Sequence, residues 1–495
     1  MLNKVITSLT PNYNKLKSST VFIFLFVLSL FVRLPFFFRD YIDRDESTFI
    51  LIGQSWVDGF LPYTQLWDVK PPITFLFFAG IIYLFGKSFF AIRLMGTLLV
   101  AITAFFTYKS GALLSTKKNG FVAALICVLL LSMFGSIQGV MSEHICMAFF
   151  MPGLYLLLKN KKGGHYLAAG LLMGLCLMSK LNLAYAVLFT GLFIFYDLIS
   201  SGLYANSIYY TGLFGIGILL VIGLTILPYY LQNNLELWWN SVVIAPLDYS
   251  AARRYSPWLI SPILLLVLPL YIWAWKKNYL NLKERNTMMM LIVVLGVMWS
   301  FMKGGRINSH YLIQLFPIFV IPVVIVFSKL AFFEKFNYRP YVLFLLLLLP
   351  VEAYLEYYNI ARNKLERGTF YNGEGFTVPQ YIEVHDLDTE NILFLGYHIG
   401  YWVLGVNPPT KAATHPSNLC KEEMFSAYKN PRDTSMEELR HIMEVLRPKT
   451  IVTRKGRRIF DEDEKEENAY MVNYLSNHYK VLAIVDKAEI YQRSE

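Results

Sequence analysis

Long apolar runs separated by short polar stretches fill the first three quarters of the chain. A helix needs roughly 20 apolar residues to cross a hydrocarbon core about 30 Å thick. Runs of that kind lie near residues 20–38, 88–108, 119–138, 141–158, 164–180, 182–200, 208–230, 257–275, 287–302, 308–328 and 341–356, which predicts eleven transmembrane helices. Residues 71–86 (PPITFLFFAGIIYLFG) are apolar as well, but as a helix they would reach only about 24 Å, so they predict a re-entrant or juxtamembrane helix. From about residue 357 the pattern becomes polar, charged and mixed. There residues 389–396 read as a buried strand, 450–454 and 479–485 as further strands, and 463–477 as a helix. Thr434 or Ser435, with Glu437 or Glu438 three residues on, is a capping-box start for another helix that ends before Pro448.

The expected fold class is an α-helical polytopic membrane protein with about eleven transmembrane helices, outer juxtamembrane helices and a small C-terminal extracytoplasmic α/β domain. Its expected domains are residues 1–356, with 41–87 as the first outer loop, and residues 357–495. Orientation follows from charge, because lysine and arginine collect in short cytoplasmic loops. If residues 71–86 do not cross, Lys4, Lys15 and Lys17, then Lys109, Lys117 and Lys118, then Lys159, Lys161 and Lys162 all fall on one side. Lys276, Lys277, Lys283 and Arg285, and then Lys329, Lys335 and Arg339, fall on the same side. That places the N-terminus in the cytoplasm and residues 41–72, 139–143, 231–256, 303–307 and the C-terminal domain outside; the expected membrane is the plasma (inner) membrane.

Composition agrees with this picture. The 495 residues are 55% hydrophobic and only 16% charged, and the mean hydropathy is +0.43, too apolar for an ordinary soluble protein. A net charge of +10 spread over several inner loops argues against nucleic acid, which wants one basic patch with interleaved aromatics. Cys127, Cys146 and Cys176 fall in apolar runs and Cys420 stands alone in the tail, so neither a disulfide framework nor a zinc pattern is available. The first run follows Lys15 and Lys17 without a small-residue cleavage site and reads as an uncleaved span.

The candidate chemistry sits in YIDRDESTFILIGQSWVDGFLPYTQLWDVKPP, residues 41–72, which sets five acidic and two basic residues between apolar segments. It opens with Asp43, Asp45 and Glu46, continues with Phe49, Ile52 and Trp56 at helical spacing, and closes on Lys70-Pro71-Pro72. A polar site pressed against a bilayer has this form. One reading makes Asp45 the cap of a helix beginning at Glu46; another makes it a base for an attacking hydroxyl. Lys70 reads either as an interfacial lysine before a proline-started helix or as fixed positive charge for a phosphate leaving group. Glu143, beside His144, lies at a short outer turn, and Arg306, His310 and Tyr311 lie in KGGRINSHYLIQLFP at the entry to a late span. Lys180 could hold phosphate or lie at an interface, and Arg253 and Arg254, near Trp238, Trp239 and Tyr255, suggest interfacial anchoring ahead of donor contact.

These stretches resemble glycosyltransferase family 39 within the glycosyltransferase C superfamily, which includes protein O-mannosyltransferases and the aminoarabinose transferases of lipid A. The resemblance is strongest over residues 31–115. It implies an integral membrane glycosyltransferase that takes a sugar from a polyprenyl-phosphate donor and gives it, with inversion, to an acceptor hydroxyl of a lipid, glycan or protein on the outer face. It implies that Asp45, of the Asp45-Glu46 pair, is the base, and that Lys70 meets the carrier phosphate, with Arg306, His310 and Tyr311 beside it. Glu143 and Asp68 would orient the acceptor or hold a divalent cation. Where the aminoarabinose transferases tend to carry Glu next to the lysine, this chain has Val69, with Asp68 one step further. The alternatives are a lipid or sugar transporter, whose site usually lies near mid-membrane between inverted repeats, and a catalytically idle assembly partner.

Overall fold

The structure is a computed structural model, and it describes residues 13–159, 162–253, 256–304, 308–330 and 348–494. Among the described residues six helices are long and apolar enough to cross a membrane: Ser18–Phe38, Phe89–Leu114, Leu181–Ser200, Tyr204–Leu231, Trp258–Lys276 and Arg285–Gly304. Lys117–Leu130, Ser142–Lys159, Gly163–Leu177 and Phe316–Ser328 fall on four further expected spans. Part of the expected last span, residues 341–347, lies outside the described residues. The helix described after it, Val351–Arg367, runs past residue 356 and carries six charged side chains.

Two spans change their winding before the apolar run ends. Pro35 lacks a backbone N–H, and the first helix passes into a 3₁₀ turn at Leu34–Phe38. Lys117–Leu130 stops where Gly135 takes a positive φ of 58°, and a 3₁₀ turn, Gly135–Gln138, follows. The apolar run of residues 71–86 is a 14-residue helix, Pro72–Phe85, with proline at its first position. At 1.5 Å per residue it is about 21 Å long.

The chain packs as two compact units that interleave along the sequence, one from residues 1–35, 93–224 and 254–357, the other from 36–92, 225–253 and 358–495. In the first, helices approach at glycines. A Cβ on Gly120 would lie 2.5 Å from the Tyr108 carbonyl oxygen, and one on Gly217 would lie 2.6 Å from that of Leu167. Only small residues let helix backbones come this close. Arg33, fully buried, donates to the carbonyls of Leu131 (3.1 Å), Ile137 (2.9 Å), Gln138 (3.1 Å) and Gly139 (2.7 Å). One guanidinium thereby fixes the irregular turn that leads into Ser142–Lys159.

The second unit holds a four-stranded sheet of order β1-β2-β4-β3, with β1 Leu393–Phe394, β2 Thr450–Arg454, β3 Tyr479–Val485 and β4 Ala488–Arg493. β1 and β2 are parallel, whereas β4 pairs antiparallel with both β2 and β3. The expected capping box is present at Thr434 and Glu437. The helix Glu374–Val384 is capped from far away in sequence: buried Asp40 accepts from the N–H groups of Gly375 (3.1 Å) and Phe376 (2.8 Å). Arg253 is not an interfacial anchor. It is paired with Glu423 (2.9 Å) and Glu464 and donates to the Cys420 carbonyl, so protein carboxylates absorb its charge. Arg254 and Tyr255 lie outside the described residues.

Candidate active site

Two polar clusters stand out, one in each unit. In the second unit the helix Arg44–Val57 is capped by Asp43, whose carboxylate accepts from the Asp45 N–H at 2.8 Å. The helix therefore starts two residues before Glu46, and capping belongs to Asp43 instead of Asp45. Asp45 points its oxygens elsewhere: Oδ2 lies 3.2 Å from Lys70 Nζ and Oδ1 lies 3.3 Å from His415 Nε2. Lys70 Nζ is also 3.9 Å from Asp68 Oδ2. Asp68 is almost buried, whereas the Asp45 side chain keeps 21% exposure, so Asp45 is the carboxylate of the pair open to a reactant. Glu46 is buried in the first turn of the same helix.

The loop before Lys70 is built to hold it. Tyr63 adopts a positive φ of 72°, and its hydroxyl donates to the Lys70 carbonyl at 2.6 Å. Trp67 donates through Nε1 to Ser241 Oγ at 2.9 Å, and Tyr229 donates to the Pro62 carbonyl at 3.1 Å. Residues 414–418 close the site from the C-terminal part of the sequence. Thr414 Oγ1 accepts from the Trp67 N–H (3.3 Å), Arg44 donates to Ser417 Oγ (2.9 Å), and Asn418 Nδ2 donates to Asp68 Oδ1 (3.4 Å).

Behind this layer His398 is wholly buried, with Nε2 3.0 Å from Thr48 Oγ1 and Nδ1 3.3 Å from the Tyr41 hydroxyl. Thr48 in turn donates to the Arg44 carbonyl at 3.1 Å. Those bonds are met by a neutral ring that accepts from Tyr41 at Nδ1 and donates to Thr48 at Nε2. Burial pushes the imidazole well below its ordinary range, helped by the nearby His415, Arg44 and Arg454.

In the first unit Glu143, Lys180, His310 and Tyr311 come together. Lys180 Nζ lies 2.7 Å from Glu143 Oε1, and neither side chain meets solvent appreciably. Ser142 donates to Glu143 Oε2 at 3.1 Å, His310 Nε2 lies 3.8 Å from Oε1, and the ammonium stands 4.9 Å from the Tyr311 ring centroid. Glu143 is thus an interior group, not an exposed loop residue, and Lys180 is an interior cation. His144 turns away from the cluster, receiving the Met141 N–H at Nδ1 (3.2 Å) and contacting the Leu131 carbonyl through Nε2 (3.1 Å). Arg306 lies outside the described residues.

The sequence reading did not single out His415, His398 or Arg33. Arg33 carried a usable signal, since an ionisable residue inside an apolar run is costly and therefore purposeful; the two histidines carried none. Among the described residues no group of three or more His, Cys, Asp and Glu side chains gathers in ligating geometry. Asp68 and Glu143 each sit against a lysine.

Residues 69–226 match the model of the dolichyl-phosphate-mannose-protein mannosyltransferase family, and no curated protein matches the chain. The fold is similar to that of ArnT from Cupriavidus metallidurans bound to undecaprenyl phosphate, with a TM-score of 0.61 at 14% identity over 95% of this chain and 97% of that one. The apo state of the same protein gives a TM-score of 0.61 at 14% identity, over 96% and 98%. The archaeal oligosaccharyltransferase AglB from Archaeoglobus fulgidus, in complex with an inhibitory peptide and a dolichol-phosphate, gives 0.51 at 12% identity over 90% and 70%. The chain is a multi-pass membrane protein with the ArnT fold, and over residues 69–226 it matches the pattern of the dolichyl-phosphate-mannose-protein mannosyltransferases.

Proposed function

We propose that the protein is a membrane glycosyltransferase that moves a sugar from a polyprenyl-phosphate donor to an acceptor hydroxyl on the outer face of the membrane, with inversion at the anomeric carbon. The observation that carries this reading is the partly open Asp45 carboxylate held against Lys70. Support comes also from the family match, which takes in Lys70, Glu143 and Lys180, and from the likeness to ArnT, whose structure holds undecaprenyl phosphate.

In this mechanism the acceptor oxygen attacks the anomeric carbon as Asp45 takes its proton, and the carbon–oxygen bond to the carrier phosphate breaks with the electron pair leaving on the phosphate. Negative charge grows there, and Lys70 supplies positive charge where it develops. Before donor arrives, Lys70 rests on Asp45 and Asp68. A phosphate that draws the ammonium to itself loosens the hold of Lys70 on Asp45 Oδ2, so donor binding arms the base. Asp68 holds Lys70 in place, and in the other unit Glu143 holds Lys180. The unit that holds Asp45 and Lys70, which includes residues 358–495, faces the outside, and the N-terminus is cytoplasmic.

The test is sugar transfer by the purified protein in lipid, across a panel of polyprenyl-phosphate sugars with membrane extract as acceptor. Labelled product from one donor is the expected result. If no donor gives product while labelled carrier lipid changes leaflet in vesicles, the transporter reading replaces this one.

A further inference from the structure

From the C-terminal part of the sequence His415 reaches Asp45, its Nε2 3.3 Å from Asp45 Oδ1. Its tautomer follows from the other ring nitrogen. Nδ1 accepts the Ser417 N–H at 3.1 Å, so in the neutral ring the proton sits on Nε2 and is donated to Asp45. Ser417 is itself fixed, since its hydroxyl accepts from Arg44, the residue next to Asp45, at 2.9 Å. Histidine, turn and helix start therefore form a closed ring of hydrogen bonds around one carboxylate.

Resting on the transferase reading above, we infer that His415 is a positioning residue for the Asp45 base: it occupies Oδ1, fixes the plane of the carboxylate, and directs the acceptor's proton to Oδ2. The ring does not act as the base itself. Nδ1 is taken by the backbone, Nε2 carries a proton, and the side chain is nearly buried at 7% exposure while Asp45 is open. When Asp45 becomes protonated on Oδ2, Oδ1 still accepts from Nε2–H, so the contact survives the step without a change of charge on His415. The segment 414–418 is on this view part of the catalytic apparatus and not a cover over it.

The competing role is local, because His415 also caps the short turn Pro416–Cys420 by accepting the Ser417 N–H. Two replacements separate the roles. His415→Asn keeps an acceptor where Nδ1 stands, and asparagine caps well, but it is too short to reach Asp45. His415→Gln places an amide N–H near the position of Nε2. Misplacing a catalytic group by about 1 Å costs on the order of 10²-fold. The expectation is a fall in kcat of about 10- to 100-fold for His415→Asn with KM for donor within about twofold, and near-complete recovery in His415→Gln. In an Asp45→Asn background, His415→Asn should lower the residual rate no further. Equal loss with and without Asp45, or equal damage by Asn and Gln, overturns the proposal.

A second readout does not depend on turnover. In full-length protein in lipid nanodiscs labelled with ¹⁵N-histidine, the resonance lost in His415→Asn should show a protonated Nε2 and a bare Nδ1, and it should move in Asp45→Asn. A resonance indifferent to Asp45 overturns the contact. If the wild type transfers no sugar, the transferase reading fails, and this measurement still decides whether His415 is held on Asp45.

Discussion

Asp43 and Asp45 are two residues apart and do different work. Asp43 satisfies the backbone at a helix start, whereas Asp45 faces a lysine and a histidine. Asp43→Ala should therefore lower the melting temperature, by the ~1 kcal/mol that a lost cap costs, while leaving transfer largely intact. Asp45→Asn should do the reverse. Glu143 and Lys180 form a buried ion pair. Removing one partner of such a pair typically costs about 3–5 kcal/mol. Glu143→Gln and Lys180→Met should each destabilise strongly, and the double variant should recover much of the loss, as read from thermal unfolding in detergent. Additive losses would mean the two do not pair. Asp45-Glu46 and Lys70-Pro71-Pro72 were legible in the sequence because residue type and immediate neighbours identify them. His415 was not, because it meets Asp45 across 370 positions with no spacing rule to link them.

At the scale of elements, the apolar runs located the helices because burial in lipid demands long continuous stretches, and the capping box at Thr434 and Glu437 located a helix start because its chemistry is local. Ends were less legible. Pro35 and Gly135 change the backbone inside runs that hydropathy alone treats as continuous. The strand β4 went unseen because AEIYQR is short and half polar, although the buried positions Ala488 and Ile490 do alternate with half-buried ones. It also supplies the partner that both β2 and β3 need, so its omission left the sheet without a centre. Close helix contacts depend on glycines. Gly120→Leu places a side chain where the Tyr108 carbonyl and the Ala112 backbone already lie within 2.6 Å of its Cβ. That variant should show sharply reduced yield and melting temperature, whereas Gly223→Leu, where a Cβ meets nothing within 4 Å, should be tolerated. Similar loss in both would show that approach distance is not what matters, since leucine is the better helix former at either position.

For the molecule as a whole, sequence order suggested a membrane part followed by a tail, and it could not show that residues 36–92 and 225–253 pack in the same unit as 358–495, since that depends on contacts hundreds of residues apart. His398 belongs to this unit and makes its stability depend on pH. Its folded-state imidazole is held well below the ordinary value of 6.5, so below that value the unfolded chain binds a proton that the folded one does not. Stability from this group is complete above about pH 6.5 and falls as the pH drops below it, with a slope of up to about 1.4 kcal/mol per pH unit. His398→Gln should flatten the acid limb of the melting-temperature profile, and an unchanged limb would show that His398 is not buried neutral.

The central claim is that Asp45, and no other carboxylate of the 41–72 stretch, removes the acceptor proton. Single-turnover transfer from a labelled polyprenyl-phosphate sugar, compared among wild type, Asp43→Ala and Asp45→Asn in the same lipid, tests it most directly. The account predicts product from wild type and Asp43→Ala and a rate lower by at least about 10²-fold in Asp45→Asn, the lower range for loss of a positioned base, with donor binding retained. Equal rates in all three would contradict it and leave Asp45 a structural partner of Lys70 and His415.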